Sequence, residues 1–150
     1  MRHVCVDACF LIGVYDNRDQ HHTAALNHFS QLFDGGNNRM LVPWPIVYEA
    51  VSTRLVRDKN GINRLERDWG HLHRSGRLEL RSDVPYREKV VQDCFDELGR
   101  PPGAYRTLSA VDRVLRNILM DPAVLIHAFV TFNAADFADV CRKRNRELIA

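Results

Sequence analysis

The stretch His3-Val4-Cys5-Val6-Asp7-Ala8-Cys9-Phe10-Leu11 decides how the rest of the chain is read. Its first four residues make a short run that stops at Asp7, and Ala8 to Tyr15 continues apolar with Gly13 inside it. This pattern predicts a buried strand running directly into a short helix, with an acid at the join.

The same alternation continues outward. Ala25, Leu26, Phe29, Leu32 and Phe33 recur at helical spacing, and Gly35-Gly36-Asn37-Asn38 ends that helix. Met40-Leu41-Val42 predicts a second strand. Pro43 and Pro45 suit the opening of another helix, which carries Glu49 in its early part. From Gly61 to Glu97 the pattern gives two helices split by Ser75-Gly76 and a brief strand at Leu78-Glu79-Leu80, and Gly99-Arg100-Pro101-Pro102-Gly103 is the clearest loop. Ser109 opens a helix with Val111, Val114, Leu115, Ile118 and Leu119 on its apolar face, closed by Asp121-Pro122. Ala128-Phe129-Val130 is a strand, Thr131 to Asn133 a turn, Ala134 to Arg144 a last amphipathic helix, and Glu147-Leu148-Ile149 one more edge strand.

Continuous apolar strands alternating with helices predict an α/β fold: a central, mostly parallel sheet of four or five strands flanked by helices on both faces. With 150 residues, 45% of them apolar, one core is expected, and the chain is read as a single domain over 1–150. No segment approaches the ~20 apolar residues of a membrane helix, and the N-terminus lacks a signal-peptide pattern. Cys5, Cys9, Cys94 and Cys141 are scattered without a C-x-x-C pair, so a reducing, cytoplasmic setting is the expectation. The net charge is only +2, but it is carried by arginine far more than by Lys59, Lys89 and Lys143, a preference that suits phosphate.

In open α/β sheets the functional crevice lies outside the carboxyl ends of the strands. Four acids fall there: Asp7 after the first strand, Glu49 after the second, Asp112 at the start of the Ser109 helix, and Asp136 at the start of the helix after the fourth strand. Each also has a purely structural reading. Ser109 to Asp112 and Asn133 to Asp136 fit the N-cap pattern with an acid three residues on, Asp7 suits a cap, and Glu49 near a helix start would be favoured by the helix dipole. Gathered together, four carboxylates repel one another unless a cation neutralises them, and hard oxygen donors point to Mg²⁺ or Mn²⁺ rather than zinc. Such an ion would activate water for phosphodiester hydrolysis.

Taken in order, Val6-Asp7-Ala8-Cys9-Phe10-Leu11, Val42-Pro43 through Val47-Tyr48-Glu49, Leu108-Ser109-Ala110-Val111-Asp112 and Val130-Thr131-Phe132-Asn133-Ala134-Ala135-Asp136-Phe137 resemble the PIN-domain nucleases, particularly the VapC-like toxins of bacterial toxin–antitoxin pairs. The resemblance implies a PIN-like fold and a Mg²⁺- or Mn²⁺-dependent endoribonuclease. In it Asp7, Glu49, Asp112 and Asp136 hold metal directly or through water, with Thr131, Asn133, Ser109 and Cys9 in support. It further implies an RNA substrate, a homodimer and a small antitoxin partner. Two positions depart from the family pattern: Cys9 stands where similar proteins carry Ser, Thr or Asn, and Arg113 follows Asp112 where a small or apolar residue is usual. They keep open an alternative in which a catalytically weakened domain binds RNA or a protein.

Other assignments fit less well. A phospho-acceptor receiver domain needs a lysine after a late strand, an Asp-x-Asp phosphatase meets Cys9 at its second position, and a dinucleotide domain lacks its glycine-rich turn. His71-x-His73 and the pair Cys5 and Cys9 have no partners at zinc spacing. Trp44 and Trp69 are the rings available for base stacking, against the plainer reading that both pack structurally.

Overall fold

A computed structural model of the chain describes residues 1–99 and 107–150. Five parallel strands form one sheet in the order β3-β2-β1-β4-β5: β1 Arg2–Val6, β2 Asn38–Pro43, β3 Leu78–Arg81, β4 Ala128–Val130 and β5 Glu147–Ile149. Val4 pairs with Met40 on one side and Ala128 on the other, so β1 lies at the centre. Consecutive residues of the central strands are buried, Val4 to Val6, Met40 to Val42 and Ala128 to Val130. Side chains alternate across a strand, so burial of neighbours means that both faces are covered.

The cover comes from eight α-helices among the described residues: α1 Ala8–Tyr15, α2 His22–Phe33, α3 Trp44–Ala50, α4 Thr53–Arg57, α5 Lys59–Arg74, α6 Arg87–Asp96, α7 Ala110–Met120 and α8 Ala138–Lys143. Helix α1 buries Ala8, Phe10, Leu11, Gly13, Val14 and Tyr15, nearly its whole circumference, as a helix inside a core must. Its neighbours come close. A Cβ added to Gly13 would lie 2.8 Å from Ala25 Cβ of α2, and one added to Gly61 of α5 would lie 2.6 Å from the carbonyl oxygen of Tyr15. At the end of α2 the chain turns through Gly35 at φ 90°, a backbone angle open to glycine.

The strand order fixes where a site can form. From β1 the chain builds outward through β2 to β3, then returns to lay β4 on the other side of β1. The carboxyl ends of β1 and β4 therefore flank the point at which the winding reverses, where a crevice opens in folds of this type. Asp7 and Thr131 are the residues that follow these strands, and the ladder continues into Asp7, whose backbone N–H donates to Val130 O at 3.1 Å.

Three local expectations change. Helix α3 is only seven residues long, so Glu49 stands one residue from its end instead of in its early part. The expected helix from Ala134 to Arg144 is divided into a 3-10 turn, Ala134–Asp136, and α8, with Phe137 between them at φ −129°. Phe137 is fully buried with its ring edge-on to Phe129 at 5.0 Å, and seating it in the core draws the backbone out of helical geometry. Residues 53–57, for which the sequence suggested no element, form α4. Within the expected loop Gly99 to Gly103, residues 100–103 lie outside the described residues.

Candidate functional site

Asp7 is the N-cap of α1 and only 7% exposed. Its Oδ1 accepts from the Ala8 backbone N–H at 2.7 Å, and its Oδ2 accepts from Thr131 Oγ1 at 2.7 Å and from the Cys9 thiol at 3.2 Å. All of these donors are neutral. Burial, the largest influence, pushes the Asp7 carboxyl above its ordinary range; the hydrogen bonds from Thr131, Cys9 and Ala8 oppose the rise, and the charge of Asp112 adds to it.

Glu49 is exposed as a residue, though its carboxylate is partly buried, and that burial followed by the charges of Asp7 and Asp112 raises its pKa. Its place near the carboxyl end of α3 removes the dipole argument, since the end of a helix disfavours an acid. Asp112 enters from α7. There Ser109 forms a full capping box: its Oγ accepts from the Asp112 N–H at 3.1 Å and donates to Asp112 Oδ2 at 2.9 Å. The structural reading of Asp112 is thus realised, and its charge still reaches Asp7 and Glu49. Elements far apart in sequence bring three carboxylates into one mutually repelling field.

Asp136 belongs to the 3-10 turn after β4. The expected cap is reversed here: Asn133 makes no side-chain cap bond, and its amide donates to the Asp136 carboxylate instead. A chain of hydrogen bonds joins this turn to Asp7, because the Asn133 N–H donates to Thr131 Oγ1 at 2.9 Å and Thr131 Oγ1 donates to Asp7. Thr131, completely buried, is the hinge of this arrangement. The Asp136 segment is also held by Arg116, which donates to the Asp136 carbonyl at 2.5 Å and, through both terminal nitrogens, to the Asp139 carboxylate at 2.7 Å.

The Cys9 thiol joins the same network. Its sulfur lies 3.2 Å from Asp7 Oδ2 and 3.4 Å from Thr131 Oγ1 and accepts from the Phe132 N–H at 3.3 Å. Burial and the Asp7 charge push its pKa up to about 11, so it acts there as a protonated thiol. Arg113 points neither to solvent nor to the carboxylates: it pairs with Glu97 and donates to the Leu108 carbonyl at 3.2 Å.

Oxygen donors of this kind, with Asp7 and Glu49 partly desolvated and raised further by neighbouring negative charge, suit a hard divalent cation. The gathered geometry is not preformed: among the described residues, no group of three or more His, Cys, Asp or Glu side chains stands ready to hold an ion. Two neighbouring features escaped the sequence. Arg116 lies one helical turn after Asp112, a spacing that places both on one side of α7. Tyr48, beside Glu49, is 73% exposed, with its ring 5.7 Å from that of Trp44 one turn earlier. Trp69, by contrast, packs against the core and has its indole nitrogen buried.

Compared with protein-family models the chain matches none, and a search of curated proteins finds no match.

Proposed function

We propose that this chain is a metal-dependent endoribonuclease of the PIN-domain type, hydrolysing RNA phosphodiester bonds with Mg²⁺ or Mn²⁺. One observation carries the reading: beside the point where the sheet's winding reverses, the charge of Asp112 acts on Asp7 and the charges of Asp7 and Asp112 act on Glu49. Asp7, Glu49 and Asp112 would hold the ion, with Asp136 joined to them through Asn133 and Thr131. When bound, such an ion supplies an activated water and polarises the phosphoryl group. Thr131 and Cys9 fix the orientation of the Asp7 carboxylate, and Ser109 fixes that of Asp112. The exposed Tyr48, next to Glu49 and beside the partly buried Trp44, offers a face on which an unpaired base can stack. The wider reading is the toxin of a toxin–antitoxin pair, acting in the cytoplasm as a homodimer restrained by a small antitoxin.

A second reading is favoured by the lack of a ready-made ion cage among the described residues: the fold binds RNA or a protein without catalysis. Purified protein incubated with single-stranded RNA separates the two. The nuclease reading requires cleavage with Mn²⁺ or Mg²⁺ that stops with EDTA and is lost in Asp7→Asn. RNA binding without cleavage selects the second reading, and equal cleavage by Asp7→Asn rejects the site.

A further inference from the structure

At the far end of α1 stands another buried carboxylate. Asp16 is 5% exposed; its Oδ1 accepts from Arg18 Nε at 3.1 Å and from the Arg18 N–H at 3.0 Å, and its Oδ2 forms an ion pair with Arg54 Nε at 2.5 Å. In both arginines the carboxylate engages Nε, leaving both terminal nitrogens of each fork outside these contacts. Their side chains are 59% and 58% exposed. Arg57, one turn beyond Arg54 on α4, lines the same cleft of about 590 Å³ with Asn17, Thr53 and Asp58. The Asp58 carboxylate is directed to the N–H of Gly61 at 3.1 Å, where it caps α5. Arg18, Arg54 and Arg57 thus line one cleft, and the nearby carboxylates of Asp16 and Asp58 already have partners.

We propose that this cleft is a phosphoryl-binding site, with Asp16 as a buried anchor that holds the Arg18 and Arg54 forks in position and Arg57 adding a third charge. A phosphoryl group has several terminal oxygens and up to two negative charges, the match for fork-shaped donors held in fixed orientation. A cleft of this volume has room for the organic body of a phosphate ester as well as the phosphate itself. The site lies at the opposite end of α1 from Asp7, and it requires no catalysis there.

Full-length protein in EDTA at low salt is titrated with inorganic phosphate, with uridine 5′-monophosphate and with a single-stranded oligoribonucleotide lacking a terminal phosphate, by calorimetry and by NMR of the arginine Nε–H signals. The expected result is that at least one probe binds and shifts the Arg18 and Arg54 signals. Arg54→Gln then weakens that binding about tenfold, and Arg54→Lys restores it only in part because the fork is gone. Asp16→Asn also weakens it, although the protein becomes more positive. A response to phosphate or the monophosphate identifies a terminal phosphate ligand, and a response to the oligonucleotide alone identifies a backbone phosphodiester. The proposal is overturned if no probe moves these signals, if Arg54→Gln binds as wild type does, or if a folded Asp16→Asn binds equally or more tightly. Should Asp16→Asn fail to fold, Arg18→Gln takes its place, with the same loss expected. Loss of RNA cleavage with this binding intact would count against the nuclease reading alone.

Discussion

Helix α1 begins and ends at an aspartate, and the two have opposite surroundings. Asp7 and Asp16 are 7% and 5% exposed, similar in burial and separated by one eight-residue helix. Asp7 is held by neutral donors and faces other carboxylates, and its pKa rises. Burial pushes Asp16 up as well, but hydrogen bonds from Arg18 and the charges of Arg18 and Arg54 outweigh it and hold its carboxyl below the ordinary range. The helix dipole favours the acid at the N-terminal end and disfavours the one at the C-terminal end, so the arginines at Asp16 offset what the dipole opposes. Similar burial therefore does not decide which way a carboxyl's pKa moves; the charge of the groups around it does.

The largest expected difference between the two ends is in activity. Asp7→Asn should lower RNA cleavage by about 10²–10⁴-fold, while Asp16→Asn leaves the rate within a few-fold, measured with a fluorescent single-stranded RNA. Equal losses in the two variants would erase the difference between the two ends of α1. Next in size is the response to metal: saturating Mn²⁺ should stabilise wild type by about 2.7 kcal/mol at a hundredfold excess over its Kd, with Asp7→Asn much less affected, in urea unfolding. A smaller effect is expected from Thr131→Val, which keeps the shape, removes the hydroxyl donor to Asp7 and should cost about 1–2 kcal/mol by the same assay. A stability unchanged by this substitution would show that the hydroxyl does not support the carboxylate.

The smallest effect is on the pH profile. Asp7 and Glu49 have raised pKa values in the folded state, so they bind protons more readily folded than unfolded. Their contribution is fully present below their unfolded pKa values and is lost as pH rises through the folded ones. Asp16, with a depressed value, contributes above its unfolded pKa and loses that contribution only as pH falls through the folded one. In EDTA, lowering pH from 7 into the carboxylate range should therefore stabilise wild type relative to Asp7→Asn. An identical profile for the two would mean that Asp7 has no raised pKa.

The strands and their parallel arrangement were legible because buried strands are apolar runs and the intervening helices carry their own stop signals. Asp7 was legible for the same reason, as the polar residue that interrupts one such run. Glu49 was misplaced along its helix because nothing between Pro45 and Ala50 signals that α3 ends after seven residues. Asn133 to Asp136 matches a cap in composition, but the cap depends on the backbone that Phe137 requires when it seats against Phe129. The Arg113–Glu97 and Arg54–Asp16 pairs were beyond reach, since both depend on tertiary approach between separate elements. The capping box at Ser109 was legible entirely within four residues, and it formed.

The close approach at Gly61 reverses an ordinary rule of protein engineering. Exchanging glycine for alanine inside a helix usually gains about 1 kcal/mol through better helix propensity. Here the new methyl would meet the Tyr15 carbonyl at 2.6 Å, Asp58 Oδ2 at 2.8 Å and Leu55 Cδ1 at 2.9 Å. Relief would require α5 to back away from the end of α1, taking with it Arg64, whose Nη2 donates to that same carbonyl at 3.1 Å. A residue with no side chain thus sets the clearance between two helices, and a library that replaced glycines to harden this protein would do well to spare it.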